Sequence, residues 1–158
     1  VTAEIRAIGW SGALFAPLVA EGAAGDGRFL SRLEEEWRHG TLRFRVPGEV
    51  LLGALEDDRL IGVGGITLDP YAPVDRLARL RHLYVAQARR REGVGTAVAL
   101  ALVERARGHF DRIRLTTDNA AHFYERLGFV AEPGEKQTHV LWLAASSTVQ
   151  GGGSTRGG

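Results

Sequence analysis

Residues 89–95 read Arg-Arg-Arg-Glu-Gly-Val-Gly and lead without a break into a long apolar segment. The first turn of a helix carries backbone N–H groups without partners and a partial positive charge. Glycine lets a ligand approach that backbone closely. An anion, above all a pyrophosphate, is the natural occupant. Arg90 and Arg91 add charge where the chain enters the turn. A flexible surface loop with a solvated charge run is the plain alternative. Arginine count cannot choose between them, because the chain has 19 Arg and one Lys, Lys136, a bias of composition. Two phosphate motifs fail here. No lysine follows either glycine as a Walker loop requires, and Val98 stands where the dinucleotide pattern needs its third glycine. A second glycine cluster, Gly62-Val63-Gly64-Gly65, lies inside a strand pattern with no helix after it.

The elements that must position this turn follow from periodicity. Ala3–Trp10 reads as a first strand. Ser11 caps a helix with Leu14, Phe15, Leu18 and Val19 on one face. Asp26 caps a second, with Phe29, Leu30, Leu33 and Trp37 on one stripe and Gly40 ending it. Glu34–Glu36 lie mostly off that stripe and read as a solvated face, with an amine-binding patch as the alternative. Val50–Leu55 and Leu60–Leu68 form a hairpin, and Asp69-Pro70 ends it. Leu77–Val85 is a strand with uneven alternation. Leu77, Leu83 and Val85 share one phase; Ala78, Leu80 and Tyr84 share the other. Cover on both faces would give this, and so would a bulge that resets the phase.

Val94–Phe110 is a helix with a broad apolar belt. Ile113–Leu115 is a short strand, Asn119–Leu127 a helix stopped by Gly128, Pro133-Gly134 a turn and Thr138–Leu143 a closing strand. The order β-α-α-β-β-β-α-β-α-β gives an α/β chain of the α+β type. The expected sheet is mixed, mostly antiparallel and twisted, of six to seven strands with about four helices. Residues 1–145 read as one domain and 146–158 as a Gly/Ser-rich tail.

The 158-residue chain has 44% apolar and 25% charged residues, ordinary values for one globular domain. No apolar window is long enough for a membrane span, and no secretion signal is read at the start. Cysteine is absent, which excludes disulfides and thiolate metal sites and fits a cytoplasmic protein. A net charge of +1 argues against nucleic acid as a partner.

Arg90-Arg91-Glu92-Gly93-Val94-Gly95 matches [QR]-x-x-G-x-[GA], and His82-Leu83-Tyr84-Val85 precedes it. Asn119 leads a helix that ends Tyr124-Glu125-Arg126-Leu127-Gly128-Phe129. In this order the two motifs resemble those of the GNAT N-acetyltransferase superfamily, strongly over about residues 50–143 and loosely over 1–49.

The resemblance implies acetyl-CoA as co-substrate, no metal, and acyl transfer from its thioester to a primary amine by direct attack through a tetrahedral intermediate. It implies that the pyrophosphate sits on the backbone from Arg91 to Thr96, including Gly93, Val94 and Gly95. The pantetheine arm would pair with Leu83, Tyr84 and Val85, where a bulge splays two strands. Asn119 would help hold that arm, or cap its helix, or both. Tyr124 would be the general acid for the departing thiolate, against a packed aromatic as the plain alternative. Many relatives carry a glutamate base on the strand before the turn, and none stands here between Asp75 and Val85. His82, Asp75, Asp118 and His122 are weaker candidates, and a water relay or an acceptor that arrives neutral would also serve. The acceptor class is a small-molecule or peptide amine, and a homodimer is common among relatives. The rival reading is a non-catalytic acyl-CoA-binding sensor of the same fold.

Overall fold

A computed structural model describes residues 3–72 and 74–143. The expected tail at 146–158 lies outside the described residues. Seven strands form one sheet in the order β1-β2-β3-β4-β5-β7-β6. They are β1 (Glu4–Ala7), β2 (Val50–Glu56), β3 (Arg59–Leu68), β4 (Leu77–Val85), β5 (Arg112–Leu115), β6 (Val130–Gly134) and β7 (Gln137–Trp142). The helices are α1 (Gly12–Gly22), α2 (Phe29–His39), α3 (Val94–Ala106) and α4 (Ala121–Arg126). Every pairing is antiparallel except β4 with β5.

Alternation along the strands feeds two cores. Val50, Leu52 and Ala54 of β2 join Val98, Leu102 and Phe110 on the α3 side. Leu51 and Leu55 join Phe15, Leu18, Leu30 and Leu33 on the α1–α2 side. Two glycines of the β3 cluster, Gly62 and Gly64, explain how closely α3 lies on the sheet. A Cβ at Gly62 would come 2.9 Å from Val94 Cγ1, and one at Gly64 would come 2.9 Å from Leu102 Cδ1. Those glycines serve helix-to-sheet packing and not a phosphate.

The uneven phase of β4 is a bulge. Val63 pairs with Tyr84 and Gly65 with Arg81, so two β4 residues, His82 and Leu83, oppose the single Gly64. His82 takes a φ of 62° to make the extra step. Ala78 and Leu80 before it, and Leu83 and Val85 after it, therefore all turn toward the α3 core, while Tyr84 enters the other. The bulge sits at the start of the Leu83–Val85 segment where it was expected.

Some local expectations change. Ser11 caps α1 as expected, its side chain accepting from Leu14 N at 3.3 Å. Asp26 does not cap α2. Arg28 stands at that position without a side-chain cap, and the Asp26 carboxylate is drawn instead to Arg90 at 3.0 Å. Asn119 makes no cap on α4, whose cap position is Ala120; Thr117 Oγ1 accepts the Ala120 N–H at 3.0 Å. α3 stops at Ala106, four residues early, where Arg107 turns extended and Gly108 takes a φ of 85°. Pro133 and Gly134 belong to β6, and the turn falls on Glu135-Lys136. Proline is tolerated there because β6 is an edge strand with an irregular register.

Candidate active site

β4 and β5 pair only from Leu77–Arg79 to Arg112–Arg114. Beyond the last rung, Arg79 opposite Arg114, the two strands separate. The opening between them leads into a cleft of about 920 Å³, with β4 and the start of α2 on one side and α3, α4 and the β5–α4 connection on the other. Asp69 fastens the vertex. Its carboxylate, 0% exposed, lies 3.3 Å from Arg79 Nε and accepts from Arg114 Nε. One buried acid thus holds both arginines of the last rung.

The glycine turn lies at the far end of β4. Gly93 takes the left-handed conformation (φ 90°) at the α3 N-cap and offers no side-chain cap. The N–H groups of Val94, Gly95 and Thr96 therefore have no intrahelical partner. Gly95 faces the cleft: a Cβ there would meet Val85 Cγ2 at 3.4 Å and Phe123 Cζ at 3.6 Å. Arg91, Gly93, Gly95 and Thr96 line the cleft, as do Leu83, Tyr84 and Val85. The Val94 side chain does not. It is 5% exposed and packs in the α3 core, leaving only its backbone for a ligand.

The three arginines divide their work. Arg89 is bound to Glu56 and, at 2.9 Å, to Glu92, so it ties the turn to β2. Arg90 donates through Nε to the Val85 carbonyl at 2.8 Å, pairs with Asp26 and lies 5.0 Å over the Tyr84 ring. It is a strut that fixes the turn against β4 and the α1–α2 connection while still lining the cleft. Arg91 forms no ion pair with another described residue and is free to meet an anion.

On the opposite wall stand Asn119, Phe123 and Tyr124. Tyr124 is 8% exposed, flanked edge-on by Phe123 at 5.0 Å and Phe129 at 5.7 Å. Burial pushes its phenol up to about 12, so it is protonated across the physiological range. The Tyr84 phenol is also raised to about 12, by burial and by its 2.7 Å hydrogen bond to Glu21, but that hydroxyl is already committed.

Of the four residues considered as bases, His82 and Asp118 line the cleft and Asp75 and His122 do not. His82 is 9% exposed, and its Nε2 is buried without a partner. Burial, aided by the charges of Arg81 and Arg32, pushes its imidazole down to about 3. It is thus a neutral hydrogen-bonding group and a weak base. Sequence reasoning missed the Asp69 clamp and the arginines that α2 brings to the cleft. For the latter, the spacing of Arg28 and Arg32 by one helical turn was the available signal.

The comparisons with known proteins agree with this geometry. The chain matches no curated protein sequence. An Exiguobacterium sp. 255-15 protein assigned as an acetyltransferase is 28% identical, with a TM-score of 0.80 over 90% of this chain and 94% of that one. A GNAT-family acetyltransferase from Streptococcus pneumoniae shares the fold at 18% identity (TM-score 0.69; 90% and 100% covered). So does a GNAT-family N-acetyltransferase from Escherichia coli in complex with CoA, at 18% identity (TM-score 0.67; 94% and 85% covered). The model of the acetyltransferase (GNAT) family matches residues 19–129, a span that holds the bulged strand, the glycine turn and the Tyr124 helix. The chain belongs to the GNAT acetyltransferase family.

Proposed function

We propose that the cleft binds acetyl-CoA and that the protein transfers the acetyl group to the primary amine of a small-molecule or peptide acceptor. One observation carries this reading. The helix-start residues Gly95 and Thr96, whose N–H groups have no intrahelical partner, and the protonated phenol of Tyr124 line one cleft, beside a strand whose edge is left open. Acetyl-CoA, when bound, supplies an acyl group already activated as a thioester. The helix mouth and Arg91 bind its phosphates, and Gly95 leaves the room that a side chain would take. The open edge of β4 near Leu83 offers backbone groups to an extended ligand, with Asn119 across from it.

Tyr124 holds the proton that a departing thiolate needs. An ordinary thiol has a pKa of about 8.5, well below that of the buried phenol. The same burial disfavours a bare thiolate, so both acids rise together and the mismatch narrows. His82 stays uncharged and is a weak base. The amine therefore enters neutral or passes its proton to water.

The test is Tyr124→Phe, which removes only the hydroxyl. Turnover is expected to fall about 100-fold while acetyl-CoA affinity, measured by calorimetry, holds. The readout is thiol release across an acceptor panel, with chemistry shown to be rate-limiting. Turnover within about twofold of the parent would remove Tyr124 from the mechanism.

A further inference from the structure

The cleft carries more positive charge than its glycine turn explains. Arg79 and Arg81 line it from β4, but each is paired, Arg79 with Asp69 and Arg81 with Glu36 at 3.3 Å. Arg28 and Arg32 line it from the first turns of α2, and their side chains form no ion pair or hydrogen bond with another described residue. They stand one helical turn apart, so their side chains share a face. Phe29 fixes that part of α2 over the bulge, with its ring 6.0 Å from His82 and 6.2 Å from Tyr84. Beneath it lies the unpartnered Nε2 of His82, a buried polar atom that native folds rarely leave unsatisfied. The lining carboxylates are Asp26, bound to Arg90, and the exposed Asp118 of the β5–α4 connection.

This field selects among amines. A simple alkylammonium would meet uncompensated positive charge. An acceptor that also carries a carboxylate or phosphate would satisfy two guanidinium groups whose planar donors suit such oxygens. Once it is held, the surrounding positive charge disfavours the ammonium form of its amine. That supplies a neutral nucleophile at a bulge that has no ionised base.

We propose that the acceptor is a small amine bearing an anionic group, carboxylate or phosphate, which Arg28 and Arg32 bind at the bulge. The proposal rests on the acetyl-transfer reading and names the acceptor class for it.

The experiment uses matched acceptor pairs: amino acids against their amides, and amino-sugar phosphates against the unphosphorylated sugars. The parent is compared with the Arg28→Ala/Arg32→Ala double variant, whose two side chains are exposed, and a ligand-free melt checks that the variant folds. The charged member of a pair should be preferred in kcat/KM by about tenfold or more, and the double variant should lose that preference through KM. Its affinity for acetyl-CoA should be unchanged by calorimetry. Which pair shows the effect separates carboxylate from phosphate. Neutral members preferred by the parent would overturn the proposal. So would a double variant that weakens acetyl-CoA binding, because these arginines would then hold the phosphates of CoA itself. A second readout stands apart from turnover: the melting temperature of the CoA-saturated protein with each pair added. Stabilisation by charged members only, lost in the double variant, would uphold the anion site even if no acetyl transfer occurred, and that result would sink only the transfer reading. No transfer and no such stabilisation would overturn both.

Discussion

Asp69→Asn is expected to destabilise the protein by about 3–5 kcal/mol, the usual cost of removing one partner from a buried ion pair. The side chain of Asp69 is fully buried and stands between two arginines that are 7% and 12% exposed, Arg79 and Arg114. An amide in its place keeps the shape but leaves two guanidinium groups without a counter-charge. At roughly 2–4 °C per kcal/mol for a chain of this size, the melting temperature should drop by about 6–20 °C. The pH dependence gives a second signature. Burial pushes the Asp69 carboxyl up, but the Arg114 hydrogen bond, the Tyr71 N–H and the charges of Arg79 and Arg114 outweigh it, holding the group below its ordinary 3.8. A depressed folded-state pKa stabilises fully above the unfolded value and ceases to do so as pH falls through the folded one. The parent should therefore lose stability below about pH 4, and the Asn variant should show a flatter acid limb. Melts at several pH values check both effects. A drop under about 2 °C would mean that Asp69 does not fasten the vertex of the splayed strands.

Gly95→Asp is expected to weaken acetyl-CoA binding by about 100-fold or more without unfolding the protein. The Cβ contacts at this position, 3.4 Å to Val85 and 3.6 Å to Phe123, are ordinary van der Waals distances. The residue is near the start of α3, where a carboxylate suits the helix dipole. The side chain nevertheless enters the cleft beside the anion-binding amides, and like charges brought together there cost several kcal/mol. Calorimetry and a ligand-free melt separate the two effects. Gly95→Ala should lose less affinity than Gly95→Asp, since it adds volume without charge. Equal affinity in the parent and the Asp variant would place the phosphate elsewhere.

The parts of this site that were legible in the sequence are those with local signatures. The glycine turn combines residue type with position at a helix start. The bulge showed itself as a phase change along β4, because a two-residue period cannot absorb an extra residue silently. Ser11 was readable because a cap acts over three residues. What escaped was long-range. Asp26 has the residue type of a cap, but Arg90, 64 positions away, takes its carboxylate. Asp69 reads as the end of a hairpin, and only the meeting of β4 and β5 makes it a clamp. The acidic trio of α2 reads as solvated, yet Glu36 reaches Arg81, 45 positions on. The glycines of β3 failed every phosphate motif, and the purpose of Gly62 and Gly64 appears only when α3 lies on them.

The helix mouth of α3 is the proposed site for acetyl-CoA, and a thermal melt reads its occupancy. A ligand at about 100 times its dissociation constant adds roughly 2.7 kcal/mol of stability, equivalent here to about 5–10 °C. Saturating acetyl-CoA should raise the melting temperature of the parent by that amount and leave Gly95→Asp nearly unmoved, with ATP and NADH giving smaller shifts. No shift with acetyl-CoA, or a larger one with ATP or NADH, would mean that the α3 helix mouth is not an acetyl-CoA site.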